Sequence, residues 1–479
     1  MRNQSLSWWC SLLTVGCCLC CAGCGVVAGT IIDTAVDIAS YPFREYVFWG
    51  AYQYDNTWET PYVAIEEEHD PGELLLGVTI SGGGSRSAYF FACVMEELSQ
   101  LVATPGKSYA DELDYISSVS GGSLAAAYYC LQRYAATPPR SDAEFFKKFK
   151  EAMACNFESR ALLRYTVGGE MMLDIFTDYD RGDLMARVWE TNRFLGKSNF
   201  QDLANAERRG APVLIMNGTT LNHGLKFVFT TLSDRRFDNA EYFDNIRDAG
   251  FIKYAAQNYQ AFRTIGFETI KSDIRPYPVA KAVVASAAVP NLLGPVTLKD
   301  RSQPDRLVHI VDGGVYDNYG IESMMQVFTH YLDQHPGKRA KIIVIDGSGY
   351  FPEDNQHSDK FSVAYYSERL MAIVWLRTKS YMEYVFQQIR GFKNKAGDYP
   401  YRNLDYDLVS LYDVLPSQQA QEPAIKDPAL QTILHPHITA TDFLQKLTTI
   451  QTRFSISDKD TTTIRDMVKG VVSKIKPAR

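Results

Sequence analysis

The chain has 479 residues, 46% hydrophobic and 22% charged, with 32 Gly and 20 Pro, proportions that exclude a collagen-like, coiled-coil or wholly disordered polymer and leave room for one large domain with additions. A formal charge of −7 makes the chain a poor candidate for general nucleic-acid binding, which needs concentrated Lys and Arg, so no nucleic-acid partner is expected. Six of the nine cysteines fall between Cys10 and Cys24; Cys93, Cys130 and Cys155 read as small buried apolar residues, so no disulfide framework is expected.

Residues 1–24 read as a targeting segment: a short polar start with Arg2, then Leu6, Trp8, Trp9, Leu12, Leu13 and Val15, then small residues before Cys24. Cys21-Ala22-Gly23-Cys24 resembles a bacterial lipobox with Cys21 in the place of the usual Leu. The resemblance implies a lipidated Cys24 and a membrane anchor outside the cytoplasm. It points to the outer membrane, where the organism has one, because Gly25 rather than Asp follows. An uncleaved membrane helix over about 6–27 and cleaved secretion are the alternatives. Residues 25–72 read as an aromatic-rich linker arm, ended by a charge run and the Pro71-Gly72 boundary.

Residues 73–350 alternate strand and helix patterns. Leu74–Ile80 is an unbroken apolar run, as in a buried parallel strand. Ser81-Gly82-Gly83-Gly84-Ser85 follows as a glycine loop, and helical spacing takes over from Arg86. Tyr115–Val119 reads as a second strand, Ser120-Gly121-Gly122 as a sharp turn, and Ser123–Tyr134 as a helix. Further strands are expected at Val213–Met216, Lys226–Thr230, Leu307–Val311 and Lys341–Ile345, giving an α/β fold with a mostly parallel sheet.

Two glycine-rich strand-to-helix turns in one β-α-β unit carry the chemistry. Ser118-Val119-Ser120-Gly121-Gly122 has the shape of a nucleophile elbow, with Ser118 where a glycine is usual. A helix start behind Ser120 favours developing negative charge. Gly82, Gly83 and Gly84 offer unobstructed backbone N–H donors for an oxyanion hole, and Arg86 is placed to steady that loop or to attract an anion. For a base, Asp312 ends a strand on the Gly313-Gly314 turn, with Asp346 a rival at another strand end. His309 reads as a satisfied core histidine. Asp178–Asp183 carries enough carboxylates to suggest calcium but reads as a solvated loop with local pairing, so neither a metal nor a cofactor is expected.

In this order the motifs resemble the patatin-like phospholipases, which use a Ser-Asp dyad without histidine. Gly82–Arg86 is similar to the family's oxyanion loop, with Ser87 in place of its third glycine; Ile116–Ser123 is similar to its elbow; Ala285-Ser286-Ala287-Ala288-Val289-Pro290 to its small-residue helix; and Asp312-Gly313-Gly314 to its acid motif. Asn217–Asn222 followed by Lys226–Thr230 is similar to a block of bacterial members. The resemblance covers about residues 73–347. It implies a three-layer sandwich, Ser120 as nucleophile, Asp312 as base, and a phospholipid or other acyl ester as substrate. Two other readings stay open: an α/β-hydrolase with a late histidine, His435 or His437, and a lipid-binding lipoprotein without turnover.

Residues 351–479 form a helical C-terminal extension. Within it Phe361–Ile389 shows apolar spacing of three to four, read as a lid or lipid-facing helix or as a helix covering the sheet edge.

Overall fold

The computed structural model describes residues 62, 63, 65, 71–136, 140, 143–168, 170, 171, 173, 179–238, 242, 243, 262–289, 293–303, 305–349, 363–411 and 452–476. Cys24 with the whole expected anchor, nearly all of the linker arm, Asp178, Pro290, His435 and His437 lie outside the described residues. Among the described residues no helix is long and apolar enough to cross a membrane.

The strands are β1 (Leu74–Ile80), a small hairpin of β2 (Val102–Thr104) and β3 (Lys107–Ser108), β4 (Tyr115–Val119), β5 (Val213–Thr220), β6 (Lys226–Phe229), β7 (Thr264–Ile265), β8 (Val296–Asp300), β9 (Arg306–Asp312), β10 (Arg339–Asp346) and β11 (Leu404–Ser410). The described residues form one nine-stranded sheet in the order β11-β10-β1-β4-β5-β6-β7, with β9 on β5 and β8 on β9. The row from β11 to β5 is parallel throughout. Beyond it β5 pairs antiparallel with both β6 and β9, and β8 antiparallel with β9, while β7 pairs parallel with β6.

Helices cover both faces. In chain order they are α1 (Gly84–Leu98), α2 (Gly121–Tyr128), α3 (Ala143–Met153), α4 (Phe157–Val167), α5 (Arg181–Trp189), α6 (Phe200–Glu207), α7 (Arg235–Asp238), α8 (Val279–Ser286), α9 (Gly314–Asp317), α10 (Ile321–Gln334), α11 (Val363–Gly391) and α12 (Asp458–Val472). Alternate strand residues point to opposite faces, so the sheet divides the core in two. Leu74, Leu76, Val78 and Ile80 pack with α1, α2, α3, α8 and α12. Leu75, Ile342 and Val344 pack with α10 and α11. This is the expected patatin-like α/β sandwich of three layers. Gly77 is where α10 comes closest to the sheet: a Cβ there would lie 2.5 Å from Met324 Sδ and 2.8 Å from Phe328 Cζ.

Expected strands agree with the observed ones to within a few residues at their ends, with β5 longer and α2 starting two residues early. Five strands, β2, β3, β7, β8 and β11, were not expected. β11 extends the central sheet from within the region read as an extension. From that same region, α11 lies over the end of the parallel sheet, burying Met382, Val385, Phe386 and Ile389 and leaving Ile373, Leu376 and Tyr384 exposed.

Candidate active site

The elbow forms where β4 stops. Val119 is its last paired residue, and Ser120 then adopts φ 55° and ψ −126° before α2 begins. Left-handed backbone at a non-glycine residue costs about 1–3 kcal/mol and persists only where the surroundings enforce it. Here they do: a Cβ on Gly121 would lie 2.1 Å from the Gly84 carbonyl oxygen, and one on Gly122 2.6 Å from Ile80 Cγ2. The glycine loop and the elbow thus touch backbone to backbone.

Behind the elbow lies a buried serine network. Ser120 N–H donates to Ser286 Oγ at 2.9 Å, and Ser286 donates to the Asn217 carbonyl at 2.7 Å. Ser123 donates to Ser118 Oγ at 3.0 Å, and Ser118 to the Ile215 carbonyl at 3.2 Å. The hydroxyl that Ser118 brings in place of glycine is therefore satisfied. Ser87, the other departure, likewise donates to the Ser81 carbonyl at 2.6 Å.

Asp312 reaches Ser120 through β5. Val119 of β4 pairs with Asn217, and Asp312 of β9 pairs with Gly218, the next residue of the same strand. β9 takes the edge of β5 that β4 vacates, so the end of one strand meets the end of the other. The block at 285–289 cradles the acid turn: Asp312 N–H donates to the Ala288 carbonyl at 3.0 Å and Gly313 N–H to the Ser286 carbonyl at 3.1 Å. Asp312 Oδ1 accepts Gly314 N–H at 2.6 Å. Burial pushes this carboxyl up from 3.8 to about 7, against the lowering effects of the Gly314 N–H and the neighbouring Ser120 hydroxyl. Ser120 is thus close enough to act on the carboxyl, yet Asp312 Oδ2 has no partner in hydrogen-bond geometry among the described residues. Catalytic hydrogen bonds are often this loose before substrate arrives.

The glycine loop presents two donors rather than three. Gly82 N–H is spent on the Asn318 carbonyl at 2.9 Å, while the N–H groups of Gly83 and Gly84 have no acceptor among the described residues. Both residues have positive φ, 147° and 60°, at the start of α1. Two helix N-termini, those of α1 and α2, therefore meet at Ser120, where their dipoles favour an anion. Arg86 takes the first of its two expected roles. It is buried beneath the loop, donating from Nε to the Gly347 carbonyl at 2.8 Å and from Nη2 to Thr452 Oγ1 at 3.0 Å. Ser85 N–H donates to the Arg453 carbonyl at 2.7 Å, so residues 452 and 453 brace the same loop.

The rival residues are placed elsewhere. Asp346 accepts Ser348 N–H at 3.0 Å and pairs with Lys379 of α11 at 3.0 Å. His309 is half-buried rather than in the core and contacts Thr297 Oγ1 at 3.0 Å. Asp180 and Asp183 form a capping box at the start of α5, and Asp183 pairs with Lys281. No metal-binding cluster occurs among the described residues. A cavity of about 610 Å³ lined by Thr220, His223, Arg263, Asp300 and Arg306 lies toward the start of β9, and neither Ser120 nor Asp312 lines it. Sequence reasoning missed the structural parts played by Asn217, Ser286, Thr452 and Arg453. The first two sit inside quoted motifs; the last two carry no local signal.

Among solved structures, human GIVD cytosolic phospholipase A2 is 11% identical with a TM-score of 0.43, the match covering 92% of this chain and 62% of that one. The same enzyme in complex with methyl gamma-linolenyl fluorophosphonate gives 13% and 0.41, covering 91% and 61%. VipD from Legionella pneumophila gives 12% and 0.26, covering 84% and 67%. The chain thus spans about three-fifths of the length of the phospholipase A2 chains it matches. No curated protein matches it. The family model described as patatin-like phospholipase matches residues 78–325, more than half of the chain and the whole stretch from β1 through Ser120 and Asp312 into α10, and the chain belongs to that family.

Proposed function

We propose that this protein is a serine acyl hydrolase acting on phospholipids or related acyl esters through a Ser120–Asp312 dyad. The observation that carries the reading is the desolvated Asp312 Oδ2, without a partner among the described residues, beside a serine held in strained backbone. Asp312 takes the proton of Ser120 Oγ as that oxygen attacks the ester carbonyl carbon. The N–H groups of Gly83 and Gly84 receive the oxyanion. On collapse, Asp312 returns the proton to the leaving alcohol. Water then gives a proton to Asp312 and attacks the acyl-serine, and on collapse Asp312 passes that proton to Ser120 Oγ, releasing the fatty acid and free Ser120. No histidine enters the scheme.

Labelling of the purified protein by a fluorophosphonate probe tests this. Wild type is expected to label, and Ser120→Ala and Asp312→Asn to abolish labelling while remaining folded. A folded wild type that does not label overturns the dyad and favours the lipid-binding reading. Lipidation of Cys24, with anchoring at a membrane outside the cytoplasm, is part of the same proposal. It rests on the lipobox resemblance, and loss of membrane-fraction recovery in Cys24→Ala is its check.

A further inference from the structure

Asn318 follows α9 in the turn after Asp312, and its side chain occupies an unusual position. Its backbone carbonyl accepts Gly82 N–H, which ties this turn to the glycine loop. Its carboxamide lies between the two halves of the site. A Cβ added to Gly82 would lie 2.4 Å from Asn318 Oδ1 and 3.4 Å from Ser120 Cβ. One added to Gly314 would lie 2.7 Å from the same Oδ1 and 2.8 Å from Asp312 Oδ1. Both glycines are therefore required to make room for this amide as well as for the loop.

Asn318 is 1% exposed, and neither Oδ1 nor Nδ2 has a hydrogen-bond partner among the described residues. Buried amides are nearly always paired, because each unmade bond forfeits what water would have given. Asn217, in the same region, shows the ordinary arrangement. Its Nδ2 donates to Ser117 Oγ and the Ser118 carbonyl, and its Oδ1 accepts from Ser323. A structural amide here would be satisfied in that way. Asn318 leaves its whole side chain unspent beside the nucleophile, the base and the oxyanion loop.

We propose that Asn318 is a substrate-contacting residue: its Nδ2–H₂ donates to an oxygen of the bound acyl ester, supplementing the backbone donors of Gly83 and Gly84. The substrate supplies the partner that the fold withholds. This rests on the acyl-hydrolase reading above.

The test is steady-state hydrolysis of p-nitrophenyl butyrate by the full chain, with fluorophosphonate labelling alongside. Asn318→Ala is expected to lower kcat by about 10²-fold, in the range found for removal of one oxyanion donor. KM, the melting temperature and the pH inflection of labelling should be unchanged. Asn318→Ser keeps a hydroxyl donor and should retain most of the lost rate; it also serves if the alanine variant fails to fold. The proposal is overturned if the folded alanine variant stays within about threefold of wild type. It is equally overturned if the loss appears as a shifted pH inflection, which would place the effect on Asp312 instead of the ester. A wild type that neither turns over nor labels removes the acyl-hydrolase reading and this one together; an active wild type with an indifferent Asn318 removes this one alone.

Discussion

Replacing Asp312 with Asn should stabilise the fold at alkaline pH while removing activity. Asn keeps an oxygen to accept Gly314 N–H but carries no charge into the buried site. In the folded chain the carboxyl titrates near 7 against 3.8 for a solvated aspartate. The folded state therefore binds the proton more tightly than the unfolded state. The stabilisation from that proton is complete below pH 3.8, fades as pH rises, and is gone once pH passes about 7. At 1.36 kcal/mol for each pH unit, the ionised form costs the fold about 4 kcal/mol at pH 8 and above. Denaturant unfolding of wild type and Asp312→Asn at intervals from pH 4 to 9 isolates this group, because the other titrating residues are common to both. The gap should widen by about 3–4 kcal/mol in favour of Asn across that range. Wild-type labelling should rise with pH through an inflection near 7, since the carboxylate is the proposed base. A gap that stays constant with pH, or an inflection below pH 5, would refute the desolvated carboxylate.

Other expectations follow from the same contacts. Ser120→Gly removes the proposed nucleophile and relaxes a residue held at φ 55°, so it should abolish labelling yet raise unfolding stability by roughly 1 kcal/mol; a loss of stability would contradict the strain. Gly121→Ala drives a Cβ to 2.1 Å from the Gly84 carbonyl and should cost labelling and stability together, whereas Gly210→Ala, which meets nothing within 4 Å, should leave labelling intact. The buried Lys226–Glu322 pair, 3.0 Å apart, predicts a cost of about 3–5 kcal/mol for Lys226→Met, part of it recovered on adding Glu322→Gln; a single variant as stable as wild type would show that the pair is solvated.

How much of this was readable in the sequence depended on how local each feature is. β1 and β4 are short apolar runs ending at glycine turns, so both their positions and the chemistry at their ends were legible. β8 and β11 carry Lys299, Asp300, Asp405 and Asp407 and sit half-exposed, so their patterns do not stand out from loop. The pairing of Asp312 with Gly218 is set by which edge of β5 the β4 strand leaves open, which no local spacing encodes. Asn318 lies four residues past the acid motif, and its role depends on two amide atoms lacking partners among the described residues, a property of the packed state alone. The role of Gly82 changed for the same reason: a glycine loop advertises donors but not which of them the fold itself consumes.

The bracing of the glycine loop by Thr452 and Arg453 has a consequence for timing. Gly84, Ser85 and Arg86 are synthesised early, but the carbonyl and hydroxyl that seat them arrive several hundred residues later. Until then Arg86 is a cation lacking one of its contacts, and the loop that would face the ester lacks a backstop. An emerging chain can therefore form β1, β4 and the elbow, and even receive Asp312, without presenting an ordered oxyanion loop. On the acyl-hydrolase proposal, hydrolytic competence would await the docking of this late segment and so report on complete folding.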